Sequence, residues 1–322
     1  MHYHKPQTFE DAIKIAASAR GVTRFLAGGT DVLVQLRAGT VTPDDLIDLK
    51  LIPGVHDIVR AADGGWTIGI AVSGAELGRH AGLVTEWPGV VEGMNLVGST
   101  QVQGRATLAG NLCNGSPAAD SVPGLVAAGA TVTVVGPNGT RRLAVEDIPA
   151  SPGRTHLQPG EIVSAIHLPP RGLNGGDAYL RFIPRTEMDI AVVGCAISLT
   201  LDGDKIATAR VALGAVAPKV ILVAEAAAIL IGTTLDDNAL SALQAAATAA
   251  AQPITDRRGT VEFRKDVTAV LAARTARIAY TRAKGEAKWA RFMSLPWSTA
   301  IRLIFWPTRA NRCWIACVTS WA

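Results

Sequence analysis

The chain has 322 residues, of which 48% are hydrophobic and 18% charged, enough for roughly two domains of about 150 residues each and too apolar for wholesale disorder. No run of about 18 uncharged apolar residues appears, and the first ten residues lack the apolar stretch of a signal peptide, so a cytoplasmic protein without a membrane span is expected. The net charge of +4 resides in residues 286–322, which leaves 26 basic and 26 acidic residues in a neutral body with no positive stripe for nucleic acid.

In chain order, Thr8 to Ala19 places Phe9, Ala12, Ile13, Ala16 and Ala17 on one helical face, and Arg24 to Ala27 reads as a short buried strand. Gly28-Gly29 breaks it, Thr30 or Asp31 caps a helix through Val32, Leu33 and Leu36, and Leu46 to Leu49 returns as a strand. Another strand is expected over Trp66 to Val72, then short helices through Leu77 and from Val90 to Leu96. Residues 98–120 (GSTQVQGRATLAGNLCNGSPAAD) are rich in Gly, Ser, Asn and Ala and read as loops with close backbone approach. A helix over Ser121 to Ala128 precedes strands at Thr131 to Val135 and Glu161 to Leu168. Pro169 to Gly172 with Asn174-Gly175-Gly176 reads as a linker. Beyond it, Tyr179 to Phe182, Ala191 to Leu201 and Ile206 to Val216 read as antiparallel strands, the last two joined at Asp202-Gly203-Asp204. Helices over Ala224 to Ile231, Asn238 to Ala251 and Val261 to Lys284 close the pattern.

Two segments could carry chemistry: Ala27-Gly28-Gly29-Thr30-Asp31, and Thr107-Leu108-Ala109-Gly110-Asn111 with its continuation to Asp120. Backbone N–H groups converging in a side-chain-free turn or at a helix start form a concavity suited to a diphosphate, and Thr30, Thr107, Asn111 and Ser116 add neutral donors. One such loop alone is a tight turn with a capping threonine; two of them, with an Asn-Gly-Ser-Pro-Ala-Ala-Asp run between apolar segments, point to a shared ligand. Neither has the spacing of a dinucleotide-binding G-x-G-x-x-G or of a P-loop, which argues against NAD or ATP.

These two segments resemble those of the FAD-binding medium subunit of molybdenum hydroxylases, the family of the carbon monoxide dehydrogenase and xanthine dehydrogenase flavoproteins. The resemblance extends to Pro159-Gly160-Glu161-Ile162-Val163, to Arg185–Val193 (RTEMDIAVV), to Gly214–Pro218 (GAVAP) and to Glu262–Asp266 (EFRKD), covering about residues 1–285. It implies an α+β protein: an FAD-binding domain over 1–172 of the vanillyl-alcohol-oxidase-like type, in two α/β subdomains (about 1–55 and 56–172), then a smaller α+β domain over 177–285. It implies that Ala27, Gly28, Gly29, Thr30 and Asp31 together with Thr107, Leu108, Ala109, Gly110 and Asn111 hold the diphosphate. By the same resemblance Asp120 bonds FAD hydroxyl or ring groups, Leu157 and Val163 line the adenine or nearby wall, and Arg181 lies near the flavin. The implied function is electron transfer from the [2Fe–2S] clusters of a small partner, beside a large molybdenum-cofactor subunit, through FAD to an external acceptor (NAD, a quinone or O2). A stand-alone FAD-dependent oxidase and a non-catalytic scaffold are the alternatives. The sequence departs from the family at Gln103-Gly104, where Arg-Asn is common, and its cysteines are too few for the four-cysteine insertion of some relatives.

Cys113, beside the second loop, reads as a small buried apolar residue. His2-x-His4 lacks further ligands and reads as a flexible terminus, and no nucleophile with a paired base is evident. After Ala283 the composition shifts: five of the seven tryptophans fall in the last 34 positions. With permitted codons the segment from Trp297 reads in a shifted frame as VNGDPVDLLADPREPLLDCLRDELG, which resembles the start of the small [2Fe–2S] subunit of the same enzymes. The tail from 286 is therefore expected to be a frame-shifted or disordered extension, in which Cys313 and Cys317 carry no metal.

Overall fold

The computed structural model describes residues 1–185 and 188–286; the tail reading, with Cys313 and Cys317, lies outside the described residues. The first unit comprises β1 (His2–His4), α1 (Phe9–Ser18), β2 (Thr23–Leu26), α2 (Val32–Arg37) and β3 (Asp45–Asp48). These strands form a parallel sheet in the order β1-β3-β2. The Thr8 side chain caps α1 by accepting from the Asp11 N–H, and Ala12 on its inner face is fully buried. His2 and His4 belong to this sheet rather than to a flexible terminus. His4 pairs with Ile47 in register, and its ring nitrogen lies 2.7 Å from Asp45.

Next come β4 (Ile58–Arg60), β5 (Trp66–Gly69), α3 (Gly74–Arg79), α4 (Ala81–Glu86), α5 (Pro88–Asn95), α6 (Thr100–Gln103), α7 (Leu108–Cys113) and α8 (Ser121–Ala127). They are followed by β6 (Thr131–Gly136), β7 (Gly139–Ala144), β8 (Pro149–Ser151), β9 (Arg154–Thr155) and β10 (Ile162–Leu168). The antiparallel sheet runs β4-β5-β10-β6-β7. Residues 98–120, expected to be loops, contain the two short helices α6 and α7, because Thr107 supplies a cap that starts α7. A core of Ile68, Ile70, Leu77, Met94, Leu112, Leu125 and Ile166 packs the helices on this sheet.

The last part holds β11 (Gly175–Phe182), β12 (Val193–Asp202), β13 (Lys205–Gly214), β14 (Ile221–Leu222), α9 (Ala224–Leu230), α10 (Asp237–Ala250) and α11 (Val261–Ala283). Its strands are antiparallel in chain order, and β12 turns into β13 through Gly203-Asp204, with Gly203 at φ +59°. Gly175 and Gly176, expected in the linker, open β11; a Cβ on Gly176 would lie 2.0 Å from the Ala279 carbonyl oxygen, so glycine lets α11 settle against the strand. One face of this sheet builds a second core with the alanine-rich helices, around Ile197, Leu199, Leu213, Leu243 and Ala276. Tyr179, Ala196 and Ala212 on the other face join the first core.

Candidate functional site

The first loop leaves β2 at Leu26 and runs over the second. A Cβ on Gly28 would stand 2.1 Å from the Arg105 carbonyl oxygen, so only glycine brings the two loops into contact. Gly29 has φ +78°, the left-handed region in which glycine is unstrained. The backbone N–H groups of Gly28, Gly29, Thr30, Asp31 and Val32 find no acceptor within the described protein. Asp31, at the start of α2, makes no capping bond; its carboxylate accepts instead from Gln35 at 2.5 Å.

In the second loop Thr107 pairs with Ser73 in an antiparallel bridge, and its hydroxyl accepts from the Gly110 N–H at 3.0 Å, which starts α7 and leaves the Ala109 N–H group without an acceptor among the described residues. Asn111 Oδ1 accepts from the Ser121 hydroxyl at 2.7 Å, which fixes the amide and leaves its Nδ2 as a donor.

Between the loops lies a cavity of about 860 Å³, within the range of about 300–1,000 Å³ common for ligand sites. Eleven of the fourteen expected site residues line it: Ala27 through Asp31, Thr107, Ala109, Gly110, Asn111, Leu157 and Val163. The other three stand elsewhere. Leu108 points into the core with 3% exposure. Asp120 and Arg181 lie outside the lining, bonded to each other at 2.5 Å, while the Tyr179 hydroxyl donates to the other Asp120 oxygen at 2.8 Å. Burial pushes the Asp120 carboxyl up to about 6 against the opposing pull of these two donors.

The titratable side chains lining the cavity are Arg24, Asp31, Cys113 and Glu161. Burial acts to raise Glu161, but two bonds from Arg141, at 3.0 and 2.8 Å, and one from the Gln158 N–H hold it below the usual carboxylate range. Burial pushes the Cys113 thiol up to about 12, a protonated small apolar group rather than a redox thiolate. Sequence reasoning overlooked the wall formed by Asn114, Gly153, Thr155 and Gln158. Its signal was Gly115, at φ +63°, where a Cβ would come within 2.9 Å of the Arg154 nitrogen.

Two family descriptions match the chain: "FAD binding domain in molybdopterin dehydrogenase" over residues 1–171 and "CO dehydrogenase flavoprotein C-terminal domain" over residues 178–279. The chain belongs to the FAD-binding medium-subunit family of molybdenum hydroxylases. It is 31% identical to the carbon monoxide dehydrogenase medium chain of Afipia carboxidovorans, over 88% of this chain and 97% of the relative. It is 29% identical to the xanthine dehydrogenase FAD-binding subunit of Escherichia coli O157:H7, over 81% and 90%. A solved structure of reconstituted CO dehydrogenase from Oligotropha carboxidovorans superposes with a TM-score of 0.83 at 30% identity, covering 88% of this chain and 98% of that one.

The flavoprotein is thus an oxidoreductase subunit with FAD as its cofactor. Its cavity fits that group: the row of N–H groups without described acceptors on the first loop and the Ala109 N–H on the second, brought together at Gly28, suit a diphosphate without a Lys or Arg among the two loops' residues. Among the described residues no helix is long and apolar enough to cross a membrane.

Proposed function

We propose that this flavoprotein is the electron-transfer subunit of a three-part molybdenum hydroxylase. A large partner would hold the molybdenum cofactor and act on the substrate, a small partner would hold [2Fe–2S] clusters, and this chain would hold FAD and meet the external acceptor, whether NAD, a quinone or O2. The observation that carries the reading is the contact of the two glycine loops at Gly28 and Arg105, which brings the unpaired N–H donors of residues 28–32 and the Ala109 N–H to one cavity. The names of the relatives, a medium chain and an FAD-binding subunit, support the division of labour. In this reading the flavin domain spans 1–172, with subdomains of about 1–55 and 56–172, and the C-terminal domain spans 177–285.

Ala27 through Asp31 and Thr107 through Asn111 would bind the diphosphate. Leu157 and Val163 would form an apolar wall for the adenine end. Each Asp120 oxygen takes one protein donor and keeps a lone pair, so the carboxylate can accept a further bond from FAD while Arg181 holds it in place. Bound FAD supplies exchange between single-electron and hydride chemistry, and the protein supplies orientation and electrostatics.

A stand-alone oxidase needs a base near its substrate. Around this cavity Asp31 is engaged by Gln35, Glu161 is tied to Arg141, and Cys113 holds its proton, which weighs against that alternative. The test is purification of the chain co-expressed with its genomic neighbours, with flavin, iron and molybdenum measured in the product. Co-purification of all three with a large and a small subunit is expected. A colourless chain that takes up no FAD, or a lone chain that turns over a substrate with O2, overturns the reading.

A further inference from the structure

Beneath the first loop lies a chain of polar contacts that neither the family match nor the cavity lining accounts for. On β1, the Tyr3 hydroxyl donates to Asp48 Oδ2 at 2.5 Å. Asp48, 6% exposed at the end of β3, uses Oδ1 to accept from the Lys50 backbone N–H at 3.0 Å and from the Lys50 ammonium at 2.7 Å. The same ammonium donates to the Ala27 carbonyl oxygen at 3.2 Å. Lys50 is held from both ends, since its own carbonyl lies 3.1 Å from the His56 ring. An ordinary surface lysine swings in water; the Lys50 side chain is 30% exposed and shares its ammonium between a carboxylate and a loop carbonyl.

The choice of that carbonyl matters. In a trans peptide the C=O and the following N–H lie in one plane and point in opposite directions. Fixing the Ala27 oxygen on the Lys50 side therefore turns the Gly28 N–H to the opposite side. That N–H belongs to a residue lining the cavity and has no acceptor among the described residues. Gly28 and Gly29 lack side chains that could hold the peptide in one orientation, so an unrestrained Ala27–Gly28 unit could rotate and present an oxygen where a diphosphate needs a donor. Asp48 balances the lysine charge, so Lys50 acts chiefly by placing a dipole.

We propose that Lys50 is the positioning residue of the first diphosphate loop: held by Asp48 and Tyr3, it fixes the Ala27 carbonyl and thereby aims the Gly28 N–H into the FAD cavity. The inference rests on the reading that residues 27–31 bind the diphosphate.

The test is titration of FAD into the flavin-free full-length chain, followed by flavin fluorescence, for wild type, Lys50→Met, Lys50→Arg and Gly28→Val, with the melting temperature of each flavin-free protein. Loss of a charge-assisted bond at the loop is expected to weaken FAD binding roughly tenfold or more in Lys50→Met. Lys50→Arg, which keeps the donor, recovers most of that affinity, and the flavin-free melting temperatures of the two variants stay together. Wild-type affinity in Lys50→Met overturns the proposal, as does equal loss in Met and Arg variants with a parallel fall in melting temperature, which marks a merely structural lysine. The control separates the two levels: if Gly28→Val keeps FAD, the loop assignment itself fails, whereas loss in Gly28→Val with full affinity in Lys50→Met removes only the lysine's role.

Discussion

Asp120 and Arg181, 61 positions apart, meet at 2.5 Å where the start of α8 faces β11, with side chains only 9% and 7% exposed. Burial raises the Asp120 carboxyl to about 6, above the value of about 3.9 for an unfolded chain. The folded protein therefore binds this proton more tightly than the unfolded one. The resulting stability is fully present below about pH 4 and is lost as pH rises toward 6, about 3 kcal/mol over two units. Urea unfolding of wild type and Asp120→Asn across pH 4 to 7 is expected to show the wild type losing about that much relative to the variant. A difference that stays flat would mean the carboxyl titrates at its unfolded value.

Three glycines of the two loops are expected to respond differently to alanine. At Gly28 a Cβ meets backbone, the Arg105 carbonyl carbon at 2.9 Å and its oxygen at 2.1 Å, so the loops must separate. At Gly29 the cost is the φ of +78° together with Leu26 Cδ1 at 2.9 Å. At Gly110 the Cβ meets only the Thr107 hydroxyl, at 3.0 Å, which can yield by a few tenths of an ångström. Retained FAD after gel filtration is expected to fall most in Gly28→Ala, next in Gly29→Ala, and least in Gly110→Ala. The overpacked positions should cost about 1–3 kcal/mol and the last less than about 1 kcal/mol. The reverse order would mean that contact between the loops does not govern binding.

The ordering of those glycines shows what sequence can and cannot carry. Gly28-Gly29 and Thr107 announce two loops because glycine and a capping threonine are local signals, readable without a partner. That Gly28 faces Arg105, and not solvent, depends on a contact 77 positions away that no periodicity encodes. The same holds for Asp120, whose bonds to Tyr179 and Arg181 on β11 span 59 and 61 positions. Strand β7 escaped because its Gly-Thr-Arg-Arg stretch is exposed and polar, as suits an edge strand, and β1 escaped because His2-x-His4 gains its order only from β3. The long helices were legible because the alanines and leucines of α10 and the alanines of α11 repeat at helical spacing along their whole length.

Glu92 on α5 and Arg282 near the end of α11 join the two cores at Oε1 2.5 Å and Oε2 3.2 Å, and Arg282 also donates to the Asp177 carbonyl at 2.7 Å. Burial pushes the Glu92 carboxyl up, with Arg282 pulling it back. Removing the guanidinium strands a carboxylate away from water, so Arg282→Met is expected to destabilise the fold by about 3 kcal/mol. Glu92→Gln with Arg282→Met should cost less than the sum of the single variants, because no uncompensated charge remains. Strict additivity in a double-mutant cycle of urea midpoints would show that the two side chains act independently.

Arg264 opens α11 with 4% exposure and reaches three acceptors at once: the Val192 carbonyl at 2.9 Å, the Ala215 carbonyl at 3.3 Å and Asp256 at 2.7 Å. Its planar fork ties the start of β12, the turn after β13 and the loop before α11 into one knot, and Ala215 stands in that turn at φ +62°, a conformation that needs outside support. A lysine keeps the charge but offers a single ammonium on a thinner stem, so it can serve Asp256 or the carbonyls and not all three. Arg264→Lys is expected to lower unfolding free energy by about 2 kcal/mol, from one or two buried acceptors left without donors. FAD affinity should stay at the wild-type value, because the knot lies in the second core and contributes no residue to the cavity lining. Chemical denaturation and FAD titration on the same preparation separate these effects; a variant with wild-type stability would show that one carbonyl contact suffices to hold the turn.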